Sequence, residues 1–323
     1  MIRAFAPALL LCATVAAPAS AQQVKAPWSA TLSEQARAGL AANDARPPEP
    51  AGMPERRARA EAIQREIGLP RLKRYGVTMT DGEIAGVPVR IFSPRGERAN
   101  APLLLNLHGG GFIVDSGSIT ENAAVAGLTG YRVVAVRYRL SPEHPFPAAL
   151  EDSLAVYRAL LQQRPASRIG LYGTSAGAIL SAQLIARLRA ERLPQPGAHG
   201  FFTGTADLAT MGDSVTLFAD PAAAAMVVKL YAGPRDPADP TLSPARGDLK
   251  DWPATLCLTS GRDFLLSGTI DFCRALGDAG VDARLVAFDG LPHAFWSYID
   301  APETDAAFAT VARFLKGRLE KAK

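Results

Sequence analysis

From Thr78 onward, short apolar runs alternate with longer segments of helical composition. The apolar runs predict strands at 87–92, 103–107, 132–138, 169–172, 200–203, 255–259 and 284–288. The intervening segments predict helices at 148–162, 176–191, 267–279 and 304–319. Strands that are almost continuously apolar are typical of a parallel sheet buried on both faces. The pattern therefore predicts an α/β domain with a mostly parallel central sheet and helices on both faces.

Two segments depart from this alternation. Residues 22–75 are rich in Ala, Arg and Pro, and the prolines of Pro47-Pro48-Glu49-Pro50 break them into two pieces. The second piece predicts a helix from Met53 to Ile67 that ends at Gly68, before Pro70, because proline cannot continue a helix. Residues 201–246 have little strand signal and several Asp and Pro breaks, which predicts an insertion beside the sheet.

The first residues have the three-part layout of a secretory signal peptide. Met1-Ile2-Arg3 is a short positive start, residues 4–17 are mostly apolar, and the A-x-A pattern of Ala19-Ser20-Ala21 predicts cleavage after Ala21. The apolar run is shorter than the roughly 20 residues that span a bilayer. We therefore expect an exported protein, periplasmic or secreted, without stable membrane insertion.

Composition and charge narrow the function classes. The 323 residues are 48% hydrophobic and 20% charged, which excludes disordered, collagen-like and disulfide-dense classes. The net charge of +4 is concentrated in residues 22–76, so the body of the protein is near neutral and no nucleic-acid partner is expected. Cys257 and Cys273 fit no metal motif and are expected to be small buried residues, with a disulfide between them left open.

A candidate nucleophile lies between a predicted strand and a predicted helix. Gly173-Thr174-Ser175-Ala176-Gly177 is a G-x-S-x-G pentapeptide that follows the strand at 169–172 and leads into the helix at 176–191. A serine on such a sharp turn projects its hydroxyl clear of the backbone, and the helix that follows directs free N–H groups at the reaction centre. Ser175 is therefore predicted to be a catalytic nucleophile.

A serine hydroxyl needs a base to accept its proton and an acid to orient that base. In this architecture the chain order is serine, acid, histidine, and His293 lies in a loop after the last predicted strand, so His293 is the predicted base. Asp263 follows the strand at 255–259 and is the favoured acid. Asp289, at the end of the last strand, is the alternative that the sequence leaves open.

A glycine-rich loop follows the strand at 103–107. His108-Gly109-Gly110-Gly111-Phe112 lets backbone N–H groups turn inward, and with the N–H of Ala176 they would form an oxyanion hole. We expect His108 to brace this loop. The chain lacks the G-x-x-x-x-G-K-[ST] pattern of a phosphate-binding loop.

Together these motifs resemble the hormone-sensitive-lipase-like carboxylesterases of the α/β-hydrolase superfamily, in their GTSAG-type bacterial branch. The resemblance rests on HGGGF at 108–112, YRLSPEHPFPAALED at 138–152 and GTSAG at 173–177, and it covers about 103–319. It implies a Ser-His-Asp esterase with an oxyanion hole formed by Gly109, Gly110 and Ala176. It also implies a helical cap, so that 22–75 and 201–246 would be cap pieces and 76–323 the α/β-hydrolase catalytic domain.

The expected function is a serine carboxylesterase that hydrolyses short-to-medium acyl esters through an acyl-enzyme, with Ser175, His293 and Asp263 as its triad. No cofactor and no metal are expected, and the expected partner is a small-molecule ester. Two alternatives stay open: another serine hydrolase, such as a lipase, amidase or peptidase, or a non-catalytic receptor for small molecules on the same fold. The physiological ester, enantioselectivity and a homodimeric state are also left open.

Overall fold

A mixed sheet with helices on both faces forms the body of the protein. The structure, a computed structural model, describes residues 27–320, and the predicted signal peptide at residues 1–21 lies outside the described residues. The strands are β1 Val77–Ile84, β2 Val87–Pro94, β3 Leu103–Leu107, β4 Arg132–Val136, β5 Ile169–Thr174, β6 Ala198–Phe202, β7 Thr255–Arg262 and β8 Ala283–Pro292. The helices are α1 Glu34–Asp44, α2 Met53–Tyr75, α3 Asn122–Thr129, α4 Ala148–Leu161, α5 Ala176–Ala190, α6 Asp213–Phe218, α7 Pro221–Ala232, α8 Leu266–Asp278 and α9 Pro302–Leu319.

The strands of the sheet follow the order β1-β2-β4-β3-β5-β6-β7-β8. β2 pairs antiparallel with β1 and with β4, and every other neighbouring pair is parallel. This arrangement confirms the predicted mostly parallel α/β sheet. Its consequence is that the carboxyl ends of β3 and β5 to β8 lie along one edge, where their loops can meet.

The apolar strands bury both faces of the sheet, as their composition predicts. Leu105, Leu107 and Leu171 belong to a buried cluster with residues of α4, α5 and α8. Leu104 and Val133 point to the opposite face and belong to a second cluster with residues of α1, α3 and α9. Because successive strand side chains alternate between faces, one short apolar run supplies both cores.

Helix α2 continues beyond the predicted end, so the expected stop at Gly68 is wrong. Pro70 lies inside the helix, which ends at Tyr75 with the left-handed Gly76 as its cap. Tertiary contacts outweigh the lost backbone bond at the proline. Gly68 packs tightly against Ile119, and the buried Arg71 guanidinium donates to the carbonyls of Thr120, Trp296 and Ile299.

The predicted insertion at 201–246 begins later than expected, because β6 ends at Phe202, and it contains α6 and α7. Strand β1 and helices α1 and α3 were not among the predicted elements. Both Cys257 and Cys273 are buried free thiols. Within residues 27–320, no helix is long and apolar enough to cross a membrane.

Candidate active site

Ser175 occupies a strained turn between β5 and α5. Its φ of 58° and ψ of −122° are rare for a residue with a side chain. The backbone around it is tightly packed, since its N–H donates to the Phe202 carbonyl of β6 at 2.9 Å. A side chain at Gly177 would place its Cβ 1.8 Å from the Leu107 carbonyl oxygen. The glycine is thus required by the close approach of α5 to β3, which presents the serine at the sheet edge.

His293 lies directly beside this serine. Its Nε2 is 2.9 Å from Ser175 Oγ, and its Nδ1 is 2.6 Å from Asp263 Oδ1. With Nδ1–H donating to the carboxylate, Nε2 is free to accept the serine proton. The structure therefore brings together the three residues that the sequence predicted as a catalytic triad.

Asp263 is fully buried and held by its own loop. The Thr259 hydroxyl donates to Oδ2 at 2.8 Å, and the Leu265 backbone N–H donates to Oδ1 at 2.8 Å. Donors of this kind stabilise a buried carboxylate and fix its direction. The alternative acid, Asp289, is exposed on β8, and within residues 27–320 no hydrogen bond or ion pair joins it to His293. The geometry favours Asp263.

The glycine-rich loop after β3 lies against the nucleophile. The Cβ position of Gly109 is 3.4 Å from Ser175 Cβ. Gly110 has a φ of +115°, and a side chain there would overlap the Val114 carbonyl. The Tyr138 hydroxyl holds the loop by donating to the His108 carbonyl at 2.7 Å. The loop is therefore fixed close to Ser175.

Ala176 is the first residue of α5. The first N–H groups of a helix have no partner within the helix, and the helix dipole makes this end partly positive. The Ala176 N–H can therefore donate to a developing oxyanion together with N–H groups of the glycine-rich loop.

Comparison with known proteins places this geometry in a family. Residues 104–297 match the family described as having an alpha/beta hydrolase fold. The chain belongs to the α/β-hydrolase family.

Similar proteins narrow this placement. An acetyl-hydrolase of Streptomyces hygroscopicus is 35% identical over 236 residues, which are 69% of this chain and 78% of that protein. The crystal structure of an esterase named E25 has a TM-score of 0.79 and 31% identity, covering 91% of this chain and 97% of that chain. An esterase from the bacterial hormone-sensitive lipase family has a TM-score of 0.79 and 27% identity, covering 89% and 99%. The predicted resemblance to hormone-sensitive-lipase-like esterases and the assignment as an ester hydrolase are confirmed, whereas the GTSAG-type branch stays a prediction.

Two cavities of this α/β-hydrolase meet at Ser175. The larger, of about 450 Å³, is lined by His293 and by α2 residues such as Arg59 and Ile63. The smaller, of about 270 Å³, is lined mainly by apolar side chains, among them Phe112, Ile179 and Val227 of α7. Both segments predicted as cap pieces thus contribute walls to the space around the serine.

The other buried histidines of the α/β-hydrolase are suited to remain neutral. Burial lowers the pKa of His199 to about 3, and its Nε2 lies 2.8 Å from Ser181 Oγ. Burial also lowers the pKa of His108, which stacks on Tyr138. His108 Nδ1 also lies 2.9 Å from the Gly109 carbonyl oxygen, so His108 braces the glycine-rich loop as expected. Among the described residues, neither ring is hydrogen-bonded to Ser175.

Three residues near the triad were not predicted from the sequence. Thr203 Oγ1 is 3.2 Å from His293 Nδ1, and the Phe264 ring packs against the imidazole with centroids 4.1 Å apart. Glu121 is buried beneath the nucleophile turn. Glu121 could have been noticed in the sequence because it is the single charged residue between Gly117 and Gly130. Thr203 and Phe264 have no comparable feature in the sequence.

Proposed function

We propose that this chain is a serine carboxylesterase that hydrolyses short-to-medium acyl esters through an acyl-enzyme. The observation that carries the proposal is the continuous relay from Ser175 Oγ through His293 to the buried Asp263, at 2.9 and 2.6 Å. A serine hydroxyl becomes a nucleophile when a base oriented in this way accepts its proton.

The first half of the reaction forms the acyl-enzyme. Ser175 Oγ bonds to the ester carbonyl carbon while its proton passes to His293 Nε2. The carbonyl oxygen becomes an oxyanion that accepts hydrogen bonds from the backbone N–H groups of Gly109, Gly110 and Ala176. Losing one such donor typically lowers the rate by a factor of about 10²–10³. His293 then gives its proton to the leaving alcohol oxygen as the carbon–oxygen bond breaks.

The second half repeats these steps with water. His293 accepts a proton from water as the water oxygen bonds to the acyl carbon, and Asp263 stabilises the imidazolium that forms. The bond to Ser175 Oγ breaks, and His293 returns its proton to the serine. The carboxylic acid leaves and the free enzyme is restored, with no metal or organic cofactor required by any step.

The two cavities support an assignment of the substrate's ends. The leaving oxygen must be near His293 Nε2, and His293 lines the larger cavity but not the smaller one. We assign the alcohol to the larger cavity and the acyl chain to the smaller, apolar cavity under α7. An apolar cavity of about 270 Å³ suits a short or medium chain.

The proposal includes export, with cleavage after Ala21 supported by the signal-peptide pattern of the first residues. N-terminal sequencing of protein recovered from the periplasm or medium should begin at Gln22. Recovery of exported protein that still begins at Met1 would contradict cleavage.

The catalytic proposal is tested with Ser175→Ala. We expect hydrolysis of p-nitrophenyl butyrate to fall to background, because the variant has no nucleophile. A fluorophosphonate should label the wild type stoichiometrically and leave Ser175→Ala unlabelled. Wild-type activity in the variant would contradict the serine mechanism, and a folded wild type that resists labelling would favour the receptor alternative.

A further inference from the structure

Glu121 is a buried acidic residue that the proposed reaction does not use. It directly precedes α3, and only 2% of it is exposed. Its carboxylate accepts a hydrogen bond from the Thr174 hydroxyl at 2.9 Å and one from the Ser297 hydroxyl at 2.5 Å. A buried carboxylate with hydrogen-bond donors from two distant parts of the chain needs an explanation.

The donors belong to the two loops that hold the reacting atoms. Thr174 directly precedes Ser175, whereas Ser297 lies on the short turn that follows His293. One carboxylate therefore joins the nucleophile turn to the histidine loop. The distance of 2.9 Å between Ser175 Oγ and His293 Nε2 depends on the relative position of these loops, and catalytic groups must be held to within about 0.5 Å.

Burial and the neighbouring groups shift the pKa of Glu121 in opposite directions. Burial raises its pKa to about 7, against the lowering effect of Ser297, Thr174, Trp296 and Arg71. The Arg71 guanidinium is occupied by three backbone carbonyls, and within residues 27–320 no cation forms an ion pair with Glu121. The other titratable groups that face it are Tyr172 of β5, whose hydroxyl donates to Asn122, and His293 in the same cavity wall.

We propose that Glu121 is a positioning residue whose ionised carboxylate holds the nucleophile turn and the histidine loop in register. This inference rests on the proposed roles of Ser175 and His293. The ionised carboxylate accepts hydrogen bonds from both hydroxyl groups at once. A protonated carboxyl presents a hydrogen to one of these donors in place of a lone pair, so the bridge loosens and the relay is less well aligned.

Glu121→Gln tests this inference because it keeps the shape of the side chain and removes its ionisation. We expect kcat for p-nitrophenyl acetate to fall about ten- to a hundredfold through misalignment, with KM changed by less than about twofold. Because only the wild type has an ionisable group at this position, its kcat/KM should fall more steeply with decreasing pH than that of the variant, and the two profiles should converge at acid pH.

Two further variants remove one donor each. Thr174→Val and Ser297→Ala should each lower kcat with little effect on KM, and each should add little in the Glu121→Gln background because all three act through one bridge. Ser153→Ala is the matched control. It removes a buried hydroxyl bonded to the Ala149 carbonyl of α4, and we expect wild-type kcat.

The outcomes separate this inference from the function on which it rests. Wild-type kcat and a wild-type pH profile in Glu121→Gln would overturn the positioning role alone. If that variant does not fold, wild-type kcat in both Thr174→Val and Ser297→Ala overturns it equally. Activity in Ser175→Ala would instead overturn the proposed function itself.

Discussion

At the scale of single residues, each group of the candidate relay is held by neighbours that do not react. Thr259 and the Leu265 N–H orient Asp263, and Phe264 packs on the imidazole of His293. The Tyr298 hydroxyl donates to the His293 carbonyl at 3.2 Å. Such support keeps a histidine in one tautomer and one orientation, which the mechanism requires.

The choice between the two candidate acids gives a residue-scale prediction. Asp263→Asn should lower kcat by about 10⁴, because an amide cannot stabilise the imidazolium and favours the wrong tautomer. Asp289→Asn is the matched control and should retain wild-type kcat, since Asp289 is exposed on β8. The measurement is steady-state hydrolysis of p-nitrophenyl butyrate by both variants. A large loss in Asp289→Asn with none in Asp263→Asn would reverse the assignment.

At the scale of elements, helices and strands that are stabilised by their local sequence could be predicted, whereas those stabilised by distant residues could not. The buried strands were predicted because their apolar runs are local signals. Strand β1 was missed because it is an exposed edge strand with a polar sequence. The predicted end of α2 was wrong because Arg71 and Gly68 stabilise the helix through contacts with residues far along the chain. Local rules at Pro70 could not include those contacts.

Helix α7 gives an element-scale prediction about the acyl cavity. Val227 reaches to within 3.4 Å of the Cβ position of Gly111, so Val227→Trp should shorten the apolar cavity. We expect the ratio of kcat/KM for p-nitrophenyl hexanoate to that for acetate to fall about tenfold or more.

The neighbouring position supplies the control for this helix. Met226 is 55% exposed on α7 and does not line the cavity. Met226→Trp should leave the acyl-chain preference unchanged. If both variants shift the preference equally, α7 acts by moving as a whole and the acyl assignment to this cavity is wrong.

At the scale of the whole molecule, the parallel topology assembles the site. Gly109, Ser175, Thr203 and Asp263 follow β3, β5, β6 and β7, and His293 follows β8. Because all these strands run in the same direction, their loops meet at one edge. The triad candidates were therefore predictable from strand order and chain order. Glu121 was not, because its donors Thr174 and Ser297 meet it only in the folded chain.

The buried His199 gives a prediction about the stability of the whole protein. Its folded pKa of about 3 lies below the unfolded value of 6.5, so the unfolded state binds more protons between these values. The free energy of unfolding should therefore fall as the pH falls through this range, by about 2 kcal/mol from this residue between about pH 6.5 and about pH 5.

Urea denaturation at both pH values checks this expectation. His199→Gln keeps a neutral polar side chain and should lose less stability than the wild type over the same interval. His144→Gln is the control, since His144 is exposed, and it should follow the wild type. Equal acid sensitivity in the wild type and His199→Gln would contradict the assignment to His199.

The attachment of α2 limits how this chain can be recombined with its relatives. The Arg90 side chain on β2 is 1% exposed, and Glu61 of α2 pairs with it at 2.7 Å. The Arg71 guanidinium of α2 in turn satisfies three carbonyls of the hydrolase body. A chimaera that imports a foreign N-terminal segment without these two side chains would leave the buried Arg90 with Asp115 as its remaining close carboxylate and would leave several carbonyls without their donors. The segment is not an interchangeable module, and substrate range is better exchanged by grafting α7 than by swapping the N-terminus.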